Sequence, residues 1–164
     1  MPRQNNDGKS GVRISYYTAY ENIVGLNVDA SGQVVGITMA ASAKWNVLNH
    51  DKEIALFKED AIGELGTSRA VTQTFTFNWR KLSIINRHAL QTLTHLNGFV
   101  MIHVDWNGNR LLQGATGAFL TGDATQTGTK FGELTGSQVT IIANEPYKAY
   151  YVNDSAFASL TIED

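Results

Sequence analysis

The sequence predicts a mainly β fold, a β-sandwich or rolled barrel with one flanking α-helix around residues 83–96. Three observations predict it. Thr72 to Trp79 alternates strictly: Val71, Gln73, Phe75, Phe77 and Trp79 point one way, and Thr72, Thr74, Thr76 and Asn78 the other, which is the period of a strand. Charged residues make up 17%, below the usual quarter, while Gly, Thr and Asn are plentiful, a composition of strands and turns. One segment, Leu82 to Leu96, carries a helical period instead.

Taken in order, residues 1–11 are polar, with Arg3, Lys9 and one acid, Asp7. They are expected to form a flexible N-terminal arm ahead of a single β-rich domain over 12–164. With no apolar run, this arm does not read as a secretory signal. Val12 to Tyr20 is rich in β-branched and aromatic residues and reads as a strand. Val24 to Val28 and Gln33 to Met39 flank Asp29-Ala30-Ser31-Gly32, a turn-forming cluster, and predict a hairpin. Ala40 to Asn49 reads equally as helix or strand. His50 to Gly66 sets Asp51, Glu53, Glu59, Asp60 and Glu64 against Lys52 and Lys58, and predicts a long solvated loop near 50–66.

Leu82, Ile85, Ala89, Leu93 and Leu96 recur at spacings of three and four, so the helix has one apolar stripe. Ser83 is placed to cap its start and Asn97-Gly98 to stop it. The stripe is expected to pack on the sheet face carrying Phe75, Phe77 and Trp79, each large side chain worth roughly 1.5–3 kcal/mol when buried. Phe99 to Trp106 and Asn109 to Gly114 flank Asn107-Gly108, which predicts a hairpin with a type I′ turn. Ala118 to Thr121 continues that sheet after a Gly114–Gly117 break. Thr121 to Gly136 is rich in Gly and Thr and predicts a second long loop, near 121–136, of a length that is usually functional. Val139 to Ala143 and Tyr147 to Val152 read as the last strands, with Pro146 in the turn between them. Asn153 to Asp164 reads as a final short strand or a docking segment.

Chemical motifs are sparse. There is no cysteine, which excludes disulfides, thiolate metal sites and cysteine nucleophiles. A formal net charge of −2 provides no basic field for gripping nucleic acid; it would suit a wall that DNA slides past and equally most cytosolic proteins. His88 and His95 lie seven apart on the helix, His103 lies in a strand and His50 in a loop. No spacing among them matches a metal motif, and partly buried, hydrogen-bonded histidines are expected. No nucleophile elbow, phosphate loop or dinucleotide fingerprint occurs. Asp105 lies beside Trp106 and the other carboxylates are scattered, which leaves a paired-carboxylate hydrolase open but without support. The aromatic residues, among them Tyr16, Tyr17, Trp45, Trp79, Trp106 and Tyr150, are read as core or subunit contacts before a sugar platform. No enzyme activity and no cofactor are expected. No apolar run is long enough to span a bilayer, so no membrane partner is expected.

The order of elements TQTFTFNW, a helix after Lys81-Leu82-Ser83, GFVMIHVDWNGNRLLQGA, and GTKFGELTGSQVTIIANEPYKAYYV resembles small virion proteins of tailed bacteriophages, especially those of Bacteroidetes-type phages. These are neck, ring or tail-tube-like subunits, and the likeness covers about residues 68–152. It implies a tail-tube-like fold that packs beside copies of itself in a ring. It also implies adjacent virion connector or tail proteins as partners, DNA as non-specific passing cargo, and a place in the virion after assembly in the host cytoplasm. Carried onto this chain, neighbour contacts fall on Thr121, Asp123, Thr125, Thr127, Lys130 and Phe131 in one loop. Glu59 and Asp60 fall in the other loop, and Arg3 and Lys9 in the arm. The alternatives are a capsid decoration or fibre-base protein, and a carbohydrate- or protein-binding β-sandwich module.

Overall fold

A computed structural model describes residues 11–51, 54–63, 70–80, 83–127 and 136–163. The chain is mainly β. Its strands are β1 (Val12–Ala19), β2 (Ile23–Val28), β3 (Gln33–Met39), β4 (Asn46–Leu48), β5 (Leu56–Ile62), β6 (Ala70–Trp79), β7 (Phe99–Asp105), β8 (Arg110–Gln126), β9 (Gly136–Glu145) and β10 (Tyr150–Val152). Helix α1 (Ile84–His95) joins β6 to β7, and a short α2 (Asp154–Ala158) follows β10.

The strands form two layers that share β8. The larger runs β2-β3-β10-β8-β7-β1-β4, antiparallel except for the parallel β3–β10 pair. The smaller runs β5-β6-β9-β8 and is antiparallel throughout. β8 serves both because it bends at Gly114. A step of two residues on β7, Phe99 to Met101, is matched by five on β8, Ala118 to Gln113. Gly114 takes φ 76°, and a Cβ there would sit 2.7 Å from the Ala118 nitrogen, so the bend requires glycine. The Gly114–Gly117 break read from the sequence is thus a bulge inside one long strand.

Two apolar cores result. Between the layers, Phe75, Phe77 and Trp79 of β6 and Val139, Ile141 and Ala143 of β9 meet Tyr17, Phe99 and Met101 of the larger sheet. Leu90 and Leu93 of α1 close this core, so the helix packs where its stripe predicted. On the far side of the larger sheet, Trp45, Val34, Val100, Ile102, Leu112 and Val152 pack under α2. β7 is central, and its alternate residues serve the two cores, which is why Phe99 to Val104 is buried throughout and is apolar except at His103.

Several expectations need correction. The 50–66 segment is not all loop: Leu56–Ile62 is a strand paired with β6 from Leu56↔Thr76 to Ile62↔Ala70. Its charges misled because only one of its faces is buried. The 121–136 segment is strand as far as Gln126, paired with β9, and residues 128–135 lie outside the described residues. The turn at Asn107-Gly108 is not type I′. Gly108 has φ 87°, but Asn107 is not left-handed, and the Asp105 carboxylate accepts from the Asn107 and Asn109 backbone N–H groups at 2.8 Å each. Ile85 is 81% exposed, so the apolar stripe of α1 is narrower than its spacing suggested. The tail forms α2 instead of a strand, capped by Asn153, whose side chain accepts from the Ala156 N–H at 2.7 Å. Leu160 and Ile162 beyond it dock on the second core. The ambiguous 40–49 stretch contains the short β4. The N-terminal arm lies outside the described residues.

Candidate functional site

The smaller sheet has two unlike faces. Its inner face is a wall of aromatic and aliphatic side chains. Its outer face carries Thr72, Thr74, Thr76 and Asn78 on β6, opposite Asn144, Ile142, Thr140 and Gln138 on β9. Thr72 Oγ1 donates to Asn144 Oδ1 at 3.0 Å, which ties two of these rows together. β8 adds Phe119, Gly122 and Ala124, set opposite Ile142, Thr140 and Gln138. The charged side chains that the described strands place on this face, Lys58 and Asp60 of β5, pair with each other at 2.7 Å. The surface is largely hydroxyls and amides, with one self-cancelling charge pair and with Ile142, Phe119, Leu56 and Ile62 as its apolar members.

Both outer strands of this sheet have an open side. Among the described residues β5 pairs only with β6, and the part of β8 beyond Phe119 pairs only with β9. Leu56 and Ile62, at the two ends of β5, are exposed. Thr121, Asp123, Ala124, Thr125 and Gln126 of β8 are exposed as well. An open edge offers a row of unpaired N–H and C=O groups, a template for another chain.

The predicted contact residues fall on these edges in part. Thr121, Asp123 and Thr125 lie on β8, Thr127 follows it, and Glu59 and Asp60 lie on β5. Lys130, Phe131, Arg3 and Lys9 lie outside the described residues. Glu59 points inward, and its carboxylate accepts the Ala149 N–H. Asp123 and Thr125 also face inward, opposite Val139 and Ser137, where they line a cleft of about 650 Å³ under α1 with Asn86, Arg87 and Gln91. Thr125 bonds Ser137 Oγ at 2.8 Å and donates to Asp123 at 3.1 Å, so these polar groups occupy one another.

Two of the histidines expected to be buried and hydrogen-bonded, His50 and His103, belong to a polar chain through the inner core that no spacing in the sequence announces. Ser15 Oγ lies 2.9 Å from His103 Nδ1 and 3.2 Å from His50 Nε2, and His103 Nε2 lies 2.8 Å from Gln113 Oε1. Gln113 Nε2 donates to the carbonyls of Gln73 and Ile141, at 2.9 and 3.3 Å, so its oxygen faces His103 and His103 Nε2 carries the proton. Nδ1 of His103 then accepts from the Ser15 hydroxyl, which leaves that oxygen to accept from His50. Burial pushes the His103 imidazole down to about 3; the Gln113 bond opposes this and nearby His50 adds to it. Ser15 and His103 are 0% and 1% exposed, so this serine–histidine contact is buried between neighbouring strands of the larger sheet, and Gln113 carries the chain across to the smaller sheet through the Gln73 and Ile141 carbonyls. The Asp105 carboxylate is similarly committed to its own turn. Among the described residues no three metal-ligating side chains converge, and no helix is long and apolar enough to cross a membrane.

No family model matches the chain, and neither a curated protein nor a solved structure matches it.

Proposed function

We propose that this chain is a structural subunit of a phage particle, forming an oligomeric ring or tube in the neck or tail through which DNA passes. The observation that carries the reading is the smaller sheet: among the described residues it is antiparallel with both edges open, and its outer face is largely threonine, asparagine and glutamine. β5 and β8 run in opposite directions, because three antiparallel pairings separate them. The open side of β8 in one copy can therefore meet the open side of β5 in the next as another antiparallel pair. Repeated around an axis, this head-to-tail contact closes into a ring, which leaves neither edge of the smaller sheet exposed. The Thr, Asn and Gln face then lines the channel. A wall whose one lysine among the described strands is offset by the aspartate beside it carries no net cationic charge to grip phosphate, so a duplex passes without being held.

Negative-stain electron microscopy and native mass spectrometry of the purified chain test this. Rings of one defined copy number are expected. Ala124→Lys, which sets a charge on the exposed end of β8, is expected to abolish rings while circular dichroism stays unchanged. A wild-type chain that forms no ring at any concentration, or an Ala124→Lys chain that closes as readily as wild type, defeats the reading.

A further inference from the structure

We propose that, outside the ring, the chain pairs with a second copy of itself through β5, about a two-fold axis at Glu59. The pattern of β5 is self-complementary. Leu56-Phe57-Lys58-Glu59-Asp60-Ala61-Ile62 reads apolar, cationic, anionic and apolar at its alternate outer positions 56, 58, 60 and 62. In an antiparallel pair centred on Glu59, Leu56 faces the copy's Ile62 and Lys58 faces the copy's Asp60. Both contacts occur twice, as two-fold symmetry requires. Opposed side chains in such a pair lie roughly 5 Å apart at Cβ, close enough for opposite charges to attract and apolar groups to touch.

Neighbouring registers are excluded by the same residues. Centring on Lys58 sets Lys58 against Lys58 and Leu56 against Asp60. Centring on Asp60 sets Asp60 against Asp60 and Lys58 against Ile62. Only the Glu59 register matches charge with charge and apolar with apolar. The like-charged pair it creates, Glu59 against Glu59, is relieved within each copy, where the carboxylate turns inward to the Ala149 N–H. Leu56 and Ile62 are 57% and 49% exposed, and Lys58 and Asp60 pair with each other along the one strand while staying half exposed, so all four outer residues can meet the copy. A lysine on an edge strand often guards against pairing. Here the residue it would meet is an aspartate, so it selects a register instead of forbidding association.

The dimer stands apart from the ring reading; its consequence rests on it. Ring closure needs the open side of β5, and the dimer covers that side, so the pair is a holding form that must part before assembly. One short strand pair buries little surface, which suits a contact meant to break.

Sedimentation velocity of the full chain tests it, with Lys58→Glu, Asp60→Lys and the double variant Lys58→Asp/Asp60→Lys. Below the concentration at which rings close, the wild type is expected to show a reversible dimer in the micromolar range. Each single change sets like charges together twice and is expected to weaken the dimer about tenfold or more. The double variant restores opposite charges and should return the dimer to within about threefold of wild type, which also rules out misfolding as the cause of the single losses. A monomeric wild type, or single variants that dimerise like wild type, overturns the proposal. Ala124→Lys separates the two readings, since it should retain the β5 dimer while losing the ring. A ring that forms in a chain with no β5 dimer leaves the ring reading standing and removes this one.

Discussion

The two faces of the smaller sheet are built by the same strands, yet they are under opposite constraints. Inward, β6 and β9 supply Phe75, Phe77, Val139 and Ile141, all fully buried. Phe75 stacks on Phe77 with ring centroids 5.1 Å apart and reaches His103 at 4.2 Å. Outward, the same strands supply threonine, asparagine and glutamine, which touch solvent and one another. A change on the inner face disturbs packing on several neighbours. A change on the outer face alters only what the surface offers to a passing molecule. Stability therefore resides on one side of the sheet and the proposed function on the other.

Phe77→Ala is the strongest way to expose that difference. Phe77 is fully buried between the layers, against Trp79 and His50. Its truncation is expected to cost about 3–5 kcal/mol, read from the shift in urea midpoint. A shift near zero would mean that the inner face does not carry the fold.

Acid offers a gentler probe of the same side. His103 has an ordinary value of 6.5 and is held at about 3 in the folded chain. Below pH 6.5 the unfolded chain takes a proton that the folded chain refuses. The contribution of a neutral His103 to stability is complete above pH 6.5, declines as pH falls, and is spent near pH 3. The decline approaches about 1.4 kcal/mol per pH unit within that window. His103→Gln, which has no proton to take up, should flatten the curve of urea midpoint against pH over this range. An unchanged slope would place the acid sensitivity elsewhere.

What could be read in advance follows from how local each signal is. The alternation of β6, the Ser83 cap of α1 and the Asp29–Gly32 hairpin turn are written within a few residues. Ser83 Oγ indeed accepts from the Asn86 N–H at 3.1 Å, and the Asp29 carboxylate accepts from the Ser31 and Gln33 N–H groups. β5 was hidden because its charged outer residues outweighed Phe57, which packs inward on His103. The far part of β8 was hidden because glycine and threonine suit a loop as well as an edge strand whose partner is distant in sequence. The Ser15–His103–Gln113 chain joins residues 88 and 10 positions apart, and no spacing rule reaches that far. The outer polar face lay half in view. The threonines of β6 were plain, but only the register that sets Thr76 opposite Thr140 and Asn78 opposite Gln138 turns one strand's alternation into a surface.

The smallest expected change in stability is the most telling about function. Thr74 and Thr140 lie on the outer face, on adjacent strands, and neither contributes to the apolar core. Replacing both with lysine removes no core contact, and solvent screens the added charges. Each change should alter stability by no more than about 0.5 kcal/mol, read from the urea midpoint. In a ring the lysines repeat with every copy, so the channel acquires a band of positive charge facing the duplex. DNA that met a neutral wall would now meet many phosphate-binding groups at once, and retention should fall steeply as salt is raised. Gel-shift and filter-binding measurements on assembled rings, across a salt series, would reveal it. Rings of the double variant that hold DNA no better than wild type would mean that this face does not line the channel.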